Sequence, residues 1–390
     1  MRLLHTSDWH LGRPFHGANL LNDQAAAMER IVELAVEAEV DAVLIAGDLY
    51  DRAIPPAEAV QLFNDTLARL SRAGAAVIAI AGNHDSHVRV SVYDDLLSAF
   101  GVTIRGDLRR AAEPVLVEPR RGGQPVAIYP LPYLEPAVDG PALSDGALQG
   151  ERFTHQTVTR LALERIQQHR AAQPSRRSLL VAHTFVAGGE TSDSERELTV
   201  GNVDRVSVET FDGFDYVALG HLHGSQQLAS ARVAYSGTPL AYSFSEQHHS
   251  KSVRIVELNA AGVPSVEVVP LGVGRPLKTL EGPLDDLLRD PRHEPFRGAW
   301  LRIVLTDDSL PIQAMARLRQ RFPHVAELRH QPPESSSASV SHRHQQVREA
   351  LSPLDLSLAF FADQQGRSAT EPEAEMLRRA LAAGSLGAER

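Results

Sequence analysis

Five short apolar runs, each ending on residues able to hold a metal ion, constrain this chain more than any other feature. "LLHTS" (3–7) runs into Asp8 and His10, "DAVLIAG" (41–47) into Asp48, "AAVIAIAG" (75–82) into Asn83, His84 and Asp85, "SLLVA" (178–182) into His183, and "DYVALG" (215–220) into His221 and His223. The runs are rich in Val, Ile, Leu and Ala and too short for most helices, a pattern that fits strands buried on both faces. Helical periodicity lies between them in "NDQAAAMERIVELAVEAE" (22–39) and "AEAVQLFNDTLARLSRAG" (57–74), the second closed by Gly74. Strand and helix in alternation predict a largely parallel sheet covered by helices. Ligands in such sheets gather beyond the carboxyl ends of the strands, where these polar residues fall.

Composition limits what that shared site can be. The chain contains no cysteine, so thiolate nucleophiles, disulfides and cysteine-held zinc or iron–sulfur clusters are excluded. Any metal must be held by oxygen and nitrogen. With 39 Lys and Arg against 49 Asp and Glu, the net charge of −10 argues against coating a polyanion by bulk electrostatics. A polyanionic substrate therefore needs a local positive site. No stretch approaches the roughly 20 apolar residues of a membrane span. "MRLLHTSDWH" has no apolar core of a secretory signal, so the expectation is a cytoplasmic protein of two or three domains.

Asp8, His10, Asp48, Asn83, His183, His221 and His223 supply two carboxylates, one amide oxygen and four imidazoles, enough for two divalent ions if one group bridges. Imidazole suits transition metals and carboxylate suits Mn²⁺ or Mg²⁺. The mixture points to Mn²⁺, with Mg²⁺, Fe²⁺, Co²⁺ and Zn²⁺ compatible. Two such ions, about 3.5–4 Å apart, clamp an in-line displacement at phosphorus. Their four positive charges against two carboxylates leave a local excess of about +2, which attracts a phosphate ester.

"DWH" (8–10), "GDLYD" (47–51), "GNHD" (82–85), "AHT" (182–184) and "GHLH" (220–223) resemble, in this order, the five motifs of the calcineurin-like metallophosphoesterases. "LLHTSDWHLGRPFHG", "AGDLYDRAIPP", "GNHDS", "SDSERELTVGNVDRV", "FDYVALGHLHGSQ" and "YSGTPLAYSFSE" are similar to segments of the SbcD family, bacterial nuclease subunits that work with the ATPase SbcC. The resemblance implies an α/β sandwich of two central β-sheets flanked by helices, with a small α+β capping domain and C-terminal helices. It also implies that Asp8, His10, Asp48 and His223 hold one metal and Asp48, Asn83, His183 and His221 the other, with Asp48 bridging. His84 would stabilise the phosphate or protonate the leaving oxygen, oriented by Asp51 or Asp85. Archaeal and eukaryotic relatives carry a second histidine near position 51, where this chain has Asp51, so no second proton donor is expected.

Other polar residues read as structural or solvated. His5 lies within the first strand; His16 and His87 flank motifs; "RDPRHEPFR" and "RRSLL" read as solvated faces. "SDSER" (192–196) is a polar loop that the resemblance places near substrate.

Residues 1–271 are expected to form the nuclease domain. "GVGRPLKTLEG" (272–282) reads as a hinge, followed by strand "AWLRIVLTDD", helix "PIQAMARLRQRFP" and strand "VAELRHQPP" in a capping domain over 272–333 that, by the resemblance, positions DNA. The serine-rich 334–349 reads as a flexible linker. Over 350–390 two helices are predicted, one with Leu354, Leu358 and Phe361 on a single face, the other opened by Thr370 and Glu373 at capping-box spacing. Their apolar faces suit docking on a partner, which the resemblance makes the base of the SbcC coiled coil; folding back on the capping domain is the alternative. The family commonly works as a homodimer, for which the helix over 23–38 is a candidate surface.

These readings converge on a two-metal DNA phosphodiesterase that, with SbcC, would act as an ATP-dependent double-strand exonuclease and single-strand or hairpin endonuclease in repair, replication and recombination. The alternatives are an enzyme for small phosphoesters or cyclic nucleotides, and a noncatalytic scaffold.

Overall fold

The computed structural model describes residues 1–144, 152–172, 177–195, 205–259, 261–262, 264–333, 353–365 and 367–386. The serine-rich linker expected at 334–349, and 196–204 of the "SDSERELTVGNVDRV" segment, lie outside the described residues. The chain divides into two compact units, Met1–Thr279 with Gly298–Arg302, and Leu280–Arg297 with Ile303–Arg390.

In the first unit β1 (Arg2–Thr6), α1 (Leu21–Glu37), β2 (Ala42–Ile45), α2 (Ala57–Arg72), β3 (Ala76–Ile80), the short α3 (His87–Ser91) and α4 (Asp94–Ser98), and β4 (Val102–Arg105) follow one another. Strands β1 to β4 pair in parallel in chain order, Leu3 opposite Ala42 and Ala42 opposite Ala76. The chain then builds a second sheet from β5 (Val115–Val117), β6 (Val126–Pro130), α5 (Pro136–Leu143), α6 (His155–Ala171), β7 (Ser178–His183), β8 (Tyr216–Gly220), β9 (Gln226–Leu228) and β10 (Val233–Tyr235). Here β6, β7, β8 and β10 are parallel neighbours, with β5 and β9 antiparallel at the edges. Finally β11 (Ser252–Leu258) and β12 (Pro264–Pro270) return to the first sheet, β11 lying antiparallel to β1.

The single parallel sheet suggested by the strand–helix alternation is therefore two sheets, the sandwich that the family resemblance implied. Three of the five site-bearing runs belong to the first sheet and two to the second. Side-chain alternation explains why all five read as buried on both faces. In β7, Leu179 and Val181 join Leu44, Ile78 and Ile80 in the layer between the sheets, while Leu180 and Ala182 join Leu163 and Ile166 of α6. His5 fastens the layers: its ring bridges the Tyr216 hydroxyl (3.0 Å) and the Leu219 carbonyl (3.1 Å) of β8.

The third sheet has the order β13 (Leu277–Gly282), β14 (Trp300–Leu305) and β15 (Val325–His330), accompanied by α7 (Leu284–Arg289) and α8 (Ala314–Arg321). The expected strand–helix–strand at 300–330 is present. The second half of the expected hinge is strand β13, whose two leucines, 277 and 280, are spaced too unevenly to read as alternation. Leu284, Leu287, Ile303, Leu305, Leu318, Phe322 and Val325 are buried. Helices follow at Pro353–Gln365 and Glu371–Leu386. At the second, Glu373 accepts from both the N–H and the hydroxyl of Thr370 at 2.7 Å, one half of a capping box.

Candidate metal centre

The loops leaving β1 and β2 run side by side. The amides of Asp8 and His10 donate to the carbonyls of Gly47 and Asp48, each at 3.0 Å. Asp8 (φ 51), His10 (φ 44), Asp48 (φ 48) and His221 (φ 111) all hold positive φ without being glycine. Such backbone is uncommon and unfavourable, and it persists where surrounding bonds over-determine it, as at binding sites. Two glycines allow the close approach. A Cβ on Gly82 would lie 2.2 Å from the Asp48 nitrogen and Oδ1, and one on Gly220 would lie 1.8 Å from the Ala46 carbonyl oxygen.

All seven expected ligands come together. Asp48 occupies the middle: Oδ1 accepts the His84 amide (2.8 Å), and Oδ2 lies 3.6 Å from both His10 Nε2 and His183 Nε2. On one side His10 Nε2 and His223 Nε2 are 3.2 Å apart, and ligand atoms of Asp8, His10 and His223 lie within 4.8 Å of one another. On the other, Asn83 Oδ1 lies 2.8 Å from His183 Nε2 and 3.4 Å from His221 Nδ1. His183 Nδ1 faces the Ala46 carbonyl at 2.9 Å. A carbonyl only accepts, so the ring proton of His183 is on Nδ1 and its Nε2 lone pair faces the Asn83 oxygen.

This donor set fits divalent cations. Two acceptor atoms facing each other repel unless a cation lies between them, and His10 Nδ1 and Asn83 Nδ2 are buried without hydrogen-bond partners. Burial, then the charge of Asp48, pushes the Asp8 carboxyl well above the usual range. Burial holds His10, His183 and His221 below theirs, as neutral rings that keep a lone pair for a metal. A cation compensates the buried carboxylate charge and favours those neutral rings.

His84 adjoins this cluster, its ring stacked edge-on 4.7 Å from that of His10, and one of its nitrogens lies within 4.8 Å of ligand atoms on His10 and Asp48. Asp51 meets it through the backbone: the Asp51 carbonyl accepts from His84 Nδ1 at 2.8 Å, while the Asp51 carboxylate lies 3.6 Å from Arg13 Nε. Asp85 has another occupation. Its carboxylate accepts the amides of Gly82, Leu49 and Tyr50 at 2.9–3.0 Å, tying the "GNHD" loop to the "GDLYD" loop. Burial and the Asp48 charge raise Asp85 to about 7. His16 stacks on Phe15 and Phe244 outside the cluster, and Arg289, Arg292 and Arg297 pair with Asp285, Asp290 and Glu294 respectively.

Sequence reasoning missed four supporting residues. Ser194 meets His223 Nδ1, Glu195 accepts the His223 amide at 2.7 Å, Glu246 meets Ser194, and Lys251 pairs with Glu246. The resemblance placed "SDSER" near substrate without tying it to His223; Glu246 closes the "YSGTPLAYSFSE" segment and Lys251 lies five residues beyond it, and neither was singled out. Burial alone would raise the Glu246 carboxyl, but the neighbouring His223 ring and the Lys251 charge hold it well below the usual range.

The family model for "Calcineurin-like phosphoesterase" matches residues 1–225. The chain belongs to that family. This phosphoesterase also matches, over residues 273–365, the SbcD C-terminal model described as "Type 5 capsule protein repressor C-terminal domain". Divalent-metal-dependent phosphoester hydrolysis is the chemistry of the family. Similar solved structures include a Thermus thermophilus protein (15% identity, TM-score 0.40, 69% of this chain and 98% of that one) and a novel archaeal phosphodiesterase (10%, 0.29, 69% and 100%). A dimetal phosphatase from Danio rerio is also among them (12%, 0.40, 70% and 96%). Among the described residues no helix is long and apolar enough to cross a membrane.

Proposed function

We propose that this phosphoesterase is a DNA nuclease, the catalytic subunit of an SbcCD-like complex acting in the cytoplasm. The observation that carries the reading is the position of Asp48, whose Oδ2 is 3.6 Å from a histidine of each donor group, in a chain that continues into an SbcD-type C-terminal domain. Asp8, His10, Asp48 and His223 would hold one ion, and Asp48, Asn83, His183 and His221 the other. The mixture of carboxylate and imidazole favours Mn²⁺. When bound, two such ions supply a lowered water pKa and charge neutralisation at phosphorus.

The chain's own residues do the rest. Asp48 and Asp85 hold the "GNHD" loop in place through the amides of His84 and Gly82. With Nδ1 of His84 donating to the Asp51 carbonyl, Nε2 is the nitrogen left to protonate the departing sugar oxygen. Residues 1–271 form the nuclease domain and 272–333 a cap that positions DNA, while 334–349 link these to helices in 350–390 that grip SbcC. In the helix Pro353–Gln365 the expected face of Leu354, Leu358 and Phe361 is half-buried, while Leu356 and Phe360 are exposed and available to a partner. For a homodimer, Val88, Val92, Tyr93, Leu96 and Phe100, each more than 60% exposed, offer an apolar surface in addition to the candidate helix α1. With SbcC and ATP the activities are double-strand exonuclease and single-strand or hairpin endonuclease, serving repair, replication and recombination.

The test is cleavage of circular single-stranded DNA and linear duplex with Mn²⁺, beside a chelator control and a chromogenic small diester. Chelator-sensitive DNA cutting, by the chain alone or with SbcC and ATP, supports the reading. Cleavage of the small diester alone, even with SbcC and ATP present, replaces it with a small-phosphoester enzyme.

A further inference from the structure

His223 is held at its backbone and its ring. Its N–H donates to Glu195 Oε1 (2.7 Å), its carbonyl accepts from Lys251 Nζ (2.9 Å), and its Nδ1 meets the Ser194 hydroxyl. That hydroxyl has one proton and two close partners, His223 Nδ1 and Glu246 Oε1. Glu246 is 1% exposed and paired with Lys251, and a carboxylate only accepts. The Ser194 proton must therefore lie towards Glu246. Ser192 Oγ is farther away, at 3.1 Å, and gives its own proton to Glu195 Oε2 at 2.9 Å. Ser194 Oγ is left to accept from His223, which places the ring proton on Nδ1 and the lone pair on Nε2, the nitrogen facing His10.

We infer that Lys251, Glu246 and Ser194 form a relay that fixes the tautomer of His223 and so sets the affinity of the metal position it shares with Asp8 and His10. The three are positioning residues, and the inference rests on the metal-dependent reading above. Lys251 gives the relay its direction. An ammonium only donates, so whatever stands at 246 must turn an acceptor towards it. In Glu246→Gln the amide oxygen is claimed by Lys251 and the NH₂ faces Ser194. Ser194 then accepts from the amide and turns its O–H to donate a hydrogen bond to His223 Nδ1. The ring proton moves to Nε2, and His223 can no longer offer that nitrogen to a metal. Removing Lys251 as well, in Glu246→Gln with Lys251→Met, frees the amide to rotate its oxygen back to Ser194.

The experiment is calorimetric titration of the full chain with Mn²⁺ alone, read together with the electron paramagnetic resonance signal of a spin-coupled manganese pair and with the melting temperature. The unsubstituted chain is expected to bind two Mn²⁺. Glu246→Gln should weaken one of them by about 10–100-fold and lose the pair signal, and Glu246→Gln with Lys251→Met should regain it. Ser194→Ala removes the relay without burying a new polar group and should also weaken one ion, which covers the case in which Glu246→Gln does not fold. Two ions bound with unchanged affinity by Glu246→Gln or by Ser194→Ala overturn the inference alone. No Mn²⁺ bound by the unsubstituted chain overturns the metal reading itself.

Discussion

The Nδ1 of His84 lies 2.8 Å from the backbone carbonyl oxygen of Asp51, and this contact assigns the two ring nitrogens different work. The carbonyl fixes a proton on Nδ1 and leaves Nε2 free of that contact, the nitrogen that in the proposed reading would exchange a proton with substrate. His84→Gln should retain Mn²⁺ binding and lower kcat for phosphodiester cleavage by about 10²–10⁴-fold, the usual contribution of a general acid. Steady-state kinetics beside a Mn²⁺ titration of the same variant check this. Loss of a bound ion would make His84 a ligand.

Gly82 sets the distance between the "GNHD" loop and Asp48. A methyl group there would stand 2.2 Å from the Asp48 nitrogen and from its carboxylate, and neither can yield without moving Asp48, the proposed bridging donor. Gly82→Ala should weaken Mn²⁺ by about 10–100-fold or more, judged by what displaced supporting contacts cost other metal sites. Calorimetry reads the affinity.

His5 makes stability fall in acid. Burial first, then the charge of Arg254, lowers its pKa from 6.5 to about 3, against the opposing pull of the Leu219 carbonyl. Between those values the unfolded chain binds a proton that the folded chain does not. The stabilisation from a neutral His5 is complete above about pH 6.5 and is lost as pH falls towards 3. His5→Gln can still accept from the Tyr216 hydroxyl and donate to Leu219. Its unfolding free energy should therefore vary less steeply with pH than that of the parent, by up to about 1.4 kcal/mol per pH unit. Urea unfolding at several pH values measures the difference, and parallel curves for the two chains would contradict it.

Metal should stabilise the fold itself. Asp8 and Asp48 are buried close together, and their repulsion opposes folding of the metal-free chain. At free Mn²⁺ near 100 times Kd, one bound ion adds about 2.7 kcal/mol. Thermal unfolding should shift upwards with Mn²⁺ and return with chelator. Asp48→Asn relieves the repulsion and weakens both ions, so it should melt higher than the parent in chelator and gain less from the metal.

The clustered donors were legible because each follows an apolar run, and strand ends are local features of a sequence. Their distribution over two sheets was not, since nothing local in β1 or β7 marks which sheet it joins and only long-range pairing separates them. Strand β13 was hidden in a glycine-flanked stretch with two leucines. The Asp51 contact to His84 runs through a backbone carbonyl, which no side-chain pattern encodes. Ser194, Glu246 and Lys251 support His223 from positions far from it in the chain, and a buried Glu–Lys pair looks like any other Glu and Lys until the fold excludes water from it. Asp85 illustrates the converse: the motif marked it, but its carboxylate serves three backbone amides in place of His84.

Anomalous diffraction at the manganese edge, from crystals grown with Mn²⁺, tests the central claim most directly. Two peaks about 3.5–4 Å apart are predicted, both within bonding distance of the Asp48 carboxylate, one against Asp8, His10 and His223 and the other against Asn83, His183 and His221. A single peak, or peaks that do not share Asp48, would contradict a two-metal centre bridged by that residue.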